Sequence, residues 1–282
     1  MEFGGHLGSE NAMPSATYHT VGLRKAIGWA RTFEVLARRF VCRRGSIRAS
    51  LRGWRRTIEI DPLDSDLFVA AQIFGHREYA LGCSVTGRLN EHSAELRKAG
   101  RIPVIIDGGA NVGYSSLFFA DTYPEALIIA LEPDQNAVAS LKRNADEPRI
   151  RLIHAALWSH TDGVRLQSTT NGSWGHFVGD GESGELTPSV TLHGLFADNP
   201  EWEPLIVKLD IEGAEKTVVA ASPGVFRSAP CIMIEPHDFK FHGAACLAPL
   251  YKALANRPMD TLINGENLIL LDPGITADLA EA

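Results

Sequence analysis

The stretch Val104-Ile105-Ile106-Asp107-Gly108-Gly109-Ala110-Asn111-Val112-Gly113-Tyr114-Ser115-Ser116 limits what this chain can become. Its branched apolar residues suit a strand buried on both faces, Asp107 closes that strand, and a glycine-rich turn then opens into an apolar segment. Glycine permits backbone angles that other residues resist, and Asn111 is among the few others that visit the left-handed region cheaply. Strand, tight loop and helix bring a ligand close to bare backbone amides at a helix N-terminus. A dinucleotide fingerprint is excluded, because no G-x-G-x-x-G can be laid over Gly108, Gly109 and Gly113. What fits is Asp-x-Gly-x-Asn-x-Gly. A carboxylate at the loop mouth would repel a pyrophosphate, whereas it attracts the ammonium of an amino-acid-bearing cofactor such as S-adenosylmethionine.

The layout repeats with Ala126 to Leu131, an apolar run ending in Glu132. An acid ending the second strand of a doubly wound sheet is placed to grip a ribose through its hydroxyls, in nicotinamide enzymes as well as others. The pattern predicts a helix over 135–144, a third strand over 150–157, an added strand over 164–167, a fourth core strand over 205–210 and a fifth over 231–235. A Gly/Ser/Thr-rich loop over 169–187 carries Trp174, His176 and Phe177, and loops of that length in compact domains are commonly functional. After a helix over 245–256, Thr261-Leu262-Ile263 and Leu268 to Leu271 flank Asn264-Gly265-Glu266, a hairpin signal. A parallel sheet closed by an antiparallel hairpin marks Rossmann-like methyltransferase sheets and is absent from most nicotinamide domains.

At 282 residues and 45% apolar content the chain can bury a sizeable core. We expect a disordered leader over 1–20, a helical extension or lid over 21–100, and the α/β domain over 101–282. The net charge of -7 argues against a general nucleic-acid binder. Its distribution is uneven: Arg24 to Arg56 holds eleven Lys or Arg against the single acid Glu34. Leu23, Ile27, Ala30, Phe33, Ala37, Phe40 and Val41 recur on one side of a helix predicted over 21–44, opposite Arg24, Lys25, Arg31, Arg38 and Arg39. Such a helix docks on an anionic membrane surface or packs on the core with a solvated basic face. Cys42, Cys83, Cys231 and Cys246 show no metal-binding spacing, no apolar run approaches the roughly 20 residues of a membrane span, and no secretory leader is visible. These readings imply a cytoplasmic protein. Its oligomeric state is not legible.

With these motifs in view the chain resembles the FkbM-type S-adenosylmethionine-dependent methyltransferases. The resemblance is carried by residues 106–113, by Leu131-Glu132-Pro133-Asp134 with Asn144, by His154-Ala155-Ala156-Leu157, by Val207-Lys208-Leu209-Asp210-Ile211-Glu212-Gly213-Ala214-Glu215 and by Ile234-Glu235-Pro236, and it spans about 61–271. It implies a class I methyltransferase fold, S-adenosylmethionine as cofactor, and transfer of its methyl group, usually to a hydroxyl of a sugar, polyketide or lipid-linked glycan. On that reading Asp107 and the Gly109, Asn111 and Gly113 backbone hold the methionine end and Glu132 takes the ribose. Pro133, Ala156 and Leu157 enclose adenine, and Ser115 and Tyr79 are further cofactor-binding candidates. Asp210 is the acceptor-positioning group or base, assisted by Glu212 and His237. A divalent metal on Asp210, Glu235 and His237 is a weaker variant that no spacing compels. The rival classes are a non-catalytic cofactor-binding or scaffold protein and a nicotinamide oxidoreductase.

Overall fold

The computed structural model describes residues 16–42, 45–168, 176–179 and 184–276, so most of the expected leader and Trp174 lie outside the described residues. Helix α1 (Ala16–Ile27) begins inside the stretch expected to be disordered, because Leu23, Ala26 and Ile27 find a buried partner surface that local composition does not reveal. The helix predicted over 21–44 is two helices. Gly28, at φ 80°, separates α1 from α2 (Trp29–Ala37), which runs on as a π-type helix over Arg38–Cys42. The break re-phases the apolar stripe: Leu23 and Ile27 enter the core, whereas Phe33, Phe40 and Val41 face solvent.

A hairpin of β1 (Ile47–Ser50) and β2 (Thr57–Ile60) follows, which the sequence did not announce since its alternation lasts four residues a side. Helix α3 (Asp66–Ala70) continues as a π-type helix over Ala71–His76, and this crosses α1 at Gly22 and Gly75. A Cβ on Gly75 would lie 2.0 Å from the Gly22 carbonyl oxygen, so the close crossing requires glycine. Helix α4 (Cys83–Lys98) completes the extension.

The α/β part runs β3 (Ile102–Gly108), α5 (Tyr114–Thr122), β4 (Leu127–Leu131), α6 (Gln135–Asn144) and β5 (Ile150–Ile153). The predicted third strand stops at Ile153. Ala156 and Leu157 form β6, whose partner is β10 (Ser189–Val190), not the main sheet. Between them β7 (Val164–Ser168), β8 (His176–Gly179) and β9 (Glu185–Thr187) make a small antiparallel sheet, so part of the predicted loop is strand. The chain returns through α7 (Leu192–Ala197), β11 (Trp202–Leu209), α8 (Glu215–Ala221), α9 (Pro223–Ser228), β12 (Cys231–Ile234) and α10 (Ala248–Ala253), then the hairpin β13 (Asp260–Asn264) and β14 (Asn267–Leu271).

The main sheet has seven strands in the order β13-β14-β12-β11-β3-β4-β5. All pairs are parallel except β12 with β14 and β13 with β14. This is the doubly wound sheet with a terminal antiparallel hairpin that the sequence predicts. Alternation along β3 explains its two-sided burial, since Ile105 belongs to the core under α4 and α5 while Val104 and Ile106 belong to the opposite one. The strand order reverses between β3 and β11, and ligands of open α/β sheets sit in the crevice beyond that reversal.

The crevice is narrow for a physical reason. Gly109, at φ 75°, lies so close to β11 that a Cβ would come within 1.9 Å of the Asp210 carbonyl oxygen. Gly109→Ala should therefore cost about 3 kcal/mol in urea unfolding, combining left-handed strain with a backbone clash. Gly53→Ala, also at positive φ but with open space around it, should cost only about 1 kcal/mol. Equal costs would mean that the contact with Asp210 is not a constraint.

Candidate active site

Lys208 and Asp107 stand opposite each other in the register of β11 and β3, and both are buried. The Lys208 ammonium lies 3.1 Å from Asp107 Oδ1 and donates to the carbonyls of Gly108 (3.1 Å) and Gly109 (2.8 Å). Burial, the largest influence, would lower the Lys208 pKa, but Asp107, Asp210 and Glu132 together raise it. The residue remains an ammonium. Asp107 Oδ2 accepts from the hydroxyls of Ser115 (2.7 Å) and Ser116 (2.5 Å), which lie in the first turn of α5.

Asp107, expected from the sequence to hold the methionine end of the cofactor, lies within this buried layer. Its side chain is fully buried and its oxygens are engaged by Lys208 and two serines, so it holds the loop in shape from beneath. Ser115 acts on Asp107 in the same way. Tyr79, 6% exposed, is brought to the same place, with Lys208 Nζ 5.8 Å from its ring centroid. Tyr79 thus brings the extension to the switch point.

Above this buried layer the loop presents its polar groups. Asn111 takes φ 48°, and its amide donates to Glu132 Oε2 at 2.8 Å while the Asp134 amide donates to Oε1 at 2.9 Å. Glu132 is therefore aimed by two backbone amides, each occupying one lone pair per oxygen and leaving others for a diol. Burial, the main cause, raises its pKa to about 7. The Asn111 side-chain oxygen is buried with no hydrogen-bond partner among the described residues. An orphaned acceptor beside an aimed carboxylate suits a polar ligand with amine and hydroxyl donors. Gly113, at φ 88°, caps α5, and a Cβ there would meet Leu141 at 2.9 Å. Pro133 is half-buried, and its carbonyl lies 3.0 Å from His154 Nε2. Ala156 and Leu157 are packed into the core, Leu157 against Gly108.

The second half of the site lies at the ends of β11 and β12. Asp210, Glu212 and His237 each offer a polar atom within 4.8 Å of the others, a grouping that could also hold a cation, with Glu212 where the sequence reading had put Glu235. His237 is fully buried. Its Nδ1 donates to Glu215 Oε1 at 2.9 Å, and Nε2 lies 3.5 Å from Glu212 and 3.4 Å from Glu235. Burial alone would depress its pKa, yet Glu215, Asp210 and Glu212 raise it. Burial first, then Asp210, pushes the Glu235 carboxyl far above the usual range, so it keeps its proton at neutral pH and shares it with Asp210. Glu212 is held at 2.6 Å by Lys240 and is raised by burial and by Asp210.

His237 thus lies behind Glu212 and Glu235, its Nδ1 fixed by Glu215 and its Nε2 between the two acids. Glu215 was missed as a site residue although it stands in the quoted motif, because only the folded chain shows that it accepts from both the Ile211 amide and His237. Glu78 and Glu266 also border the cluster and are both raised, chiefly by burial. They come from the extension and the terminal hairpin, which no local pattern links. Asp210 and Glu212 remain partly open, their side chains 29% and 27% exposed.

The model of the methyltransferase FkbM domain matches residues 107–257, just over half of the chain. A search of the curated proteins finds no match. Among solved structures, the precorrin-6y C5,15-methyltransferase of Geobacter metallireducens is 12% identical with a TM-score of 0.35, over 64% of this chain and 85% of that one. The METTL16 methyltransferase domain is 12% identical with a TM-score of 0.46, over 86% and 78%. The N-terminal domain of human METTL16 in complex with SAH is 13% identical with a TM-score of 0.39, over 71% and 69%.

A carboxylate that titrates near neutrality and accepts ligand hydroxyls makes binding pH-dependent. Ligand diols favour ionised Glu132, so binding of S-adenosylhomocysteine should tighten as pH rises through about 7 and release a fraction of a proton there. Calorimetry in buffers of different ionisation enthalpy measures that release, and Glu132→Gln should abolish it while weakening binding roughly tenfold. Proton uptake on binding would reverse the assignment.

Proposed function

The chain belongs to the FkbM family of methyltransferases, and from that premise we propose that it methylates a hydroxyl oxygen, with Asp210 holding and deprotonating the acceptor. Its cofactor is S-adenosylmethionine, which supplies an electrophilic methyl group. The residues suited to hold it are the Gly109 to Gly113 backbone, Asn111 and Glu132, with Tyr79 and Pro133 at the border. Asp107, Ser115, Ala156 and Leu157 support that cradle from within.

The observation that carries the reading is a surplus of carboxylates beside the loop. Asp210, Glu212 and Glu235 converge where Gly109 touches the Asp210 backbone, so an acceptor held by Asp210 would lie beside the loop suited to the methyl donor. A neutral alcohol is a poor nucleophile at pH 7, so it must lose its proton as the new bond forms. Asp210 is partly open and accepts a hydrogen bond from the Glu235 carboxyl, so it stays ionised to take the acceptor's proton, while Glu212 and Lys240 border the space it faces. A carboxylate within hydrogen-bond reach of the acceptor hydroxyl can take its proton as the new bond forms. His237, fixed by Glu215, keeps Glu212 and Glu235 in place. Positioning supplies the rest of the acceleration. The acceptor class proposed, on family grounds, is a sugar, polyketide or similar natural product, in a cytoplasmic setting.

Asp210→Asn should lower turnover by about 10²- to 10⁴-fold, measured as S-adenosylhomocysteine release with hydroxylated acceptors. Calorimetry should find cofactor-product affinity unchanged within about threefold. Glu235→Gln keeps a hydrogen-bond donor toward Asp210 and should retain most activity, whereas Glu235→Ala should not. Activity should survive a chelator, since Asp210 takes the acceptor's proton with no metal ion in the proposed step. Full turnover by Asp210→Asn on an identified acceptor would overturn the base assignment. Binding of NADH in place of the methyl donor would overturn the reaction class.

A further inference from the structure

Methyl transfer leaves the basic N-terminal surface without a task. Much of its charge is spent internally, contrary to the single basic face expected from the sequence. Arg39 donates to the carbonyls of Pro62 (2.6 Å) and Asp64 (3.3 Å) and covers the Phe68 ring. Arg56 bridges Asp121 and Glu147, and Arg31 and Arg38 share Glu34. Lys25, Arg48, Arg52 and Arg55 are left exposed, and among the described residues their one ion pair is a long 3.9 Å contact from Arg48 to Glu59.

Beside these cations lies the largest group of exposed apolar side chains among the described residues: Trp29 at 67%, Phe33 at 75%, Phe40 at 74% and Val41 at 79%. Trp29, Phe33 and Phe40 recur at i, i+4 and i+11, so they form one stripe along α2 and its π-type continuation. The two features touch. The Arg24 guanidinium lies 5.0 Å from the Trp29 ring centroid, and the Arg52 side chain passes within 3.6 Å of the Cβ position at Gly28, where the stripe begins.

We propose that this surface docks on an anionic phospholipid bilayer, with the Trp29, Phe33 and Phe40 stripe at the headgroup boundary and Lys25, Arg48, Arg52 and Arg55 against the lipid charges. An aromatic stripe with a cationic rim on a surface helix matches an interfacial helix. No helix among the described residues is long and apolar enough to cross a membrane, so the contact is peripheral. Charge complementarity favours this occupant over a second copy, which in a two-fold contact would set the same cationic rim against itself. Tyr18 on α1 donates to Glu78, next to Tyr79, so the docked helices connect directly to the border of the active site.

Sedimentation of the full chain with vesicles tests the proposal. Vesicles containing about a third phosphatidylserine should bind at least about tenfold more strongly than phosphatidylcholine alone, and binding should weaken severalfold between about 0.05 and 0.5 M salt. The pair Phe33→Ser with Phe40→Ser, and separately Lys25→Glu with Arg52→Glu, should each reduce binding at least about tenfold at an unchanged melting temperature, since all four residues lie on the surface. Several results would overturn the proposal: no sedimentation with anionic vesicles at low salt, full binding by the Phe33/Phe40 variant, a dimer that this variant dissociates, or capture of single-stranded oligonucleotide without vesicle binding. These residues lie outside the active site, so such a failure leaves the methyltransferase assignment untouched.

Discussion

The buried ion pair between Lys208 and Asp107 is the interaction on which the rest of the site depends. Two charges taken out of water are costly, and only close contact with further hydrogen bonds compensates them. Here Lys208 meets Asp107 and two carbonyls of the loop, while Asp107 meets two serines of α5. The pair thus fixes four things at once: the ends of β3 and β11, the first carbonyls of the glycine loop, and the start of α5. Asp210, two residues beyond Lys208 on the same side of β11, inherits its position from this arrangement.

Two layers of charge follow from that buried pair. The lower layer is balanced and closed, and its work is structural. The upper layer, made of Asp210, Glu212, Glu235 and the neighbouring Glu78 and Glu266, is unbalanced and partly open. Burial raises the pKa values of Glu78, Glu212, Glu235 and Glu266, so this end of the sheet gathers carboxyl groups that hold their protons more tightly than free ones beside the glycine loop.

The doubly wound sheet and its terminal hairpin were legible because strands buried on both faces leave long branched runs and turns leave Asn-Gly. The glycine loop was legible for the same local reason. Its internal logic was not: Gly109 serves a close approach by the Asp210 backbone, which is distant in sequence, and Asp107 is consumed by Lys208 where the sequence shows only a carboxylate beside glycines. Gly28 breaks a helix whose apolar period continues across it, so the stripe that looked like core became surface. His237 was legible as a residue near Asp210, but its burial against Glu215 appears only when the end of β12 meets the start of α8. Local periodicity carries elements; partners of buried polar groups are set by tertiary contact.

The most direct test of the central claim is a double-mutant cycle in urea unfolding with Asp107→Asn, Lys208→Met and the two combined. Each single change should cost about 3 to 5 kcal/mol, because it strands a buried partner. The combined change should cost well below the sum, with a coupling of about 2 kcal/mol or more. Additive costs would contradict the account, since the two residues would then contribute independently and the ion pair would not be what holds the loop to β11.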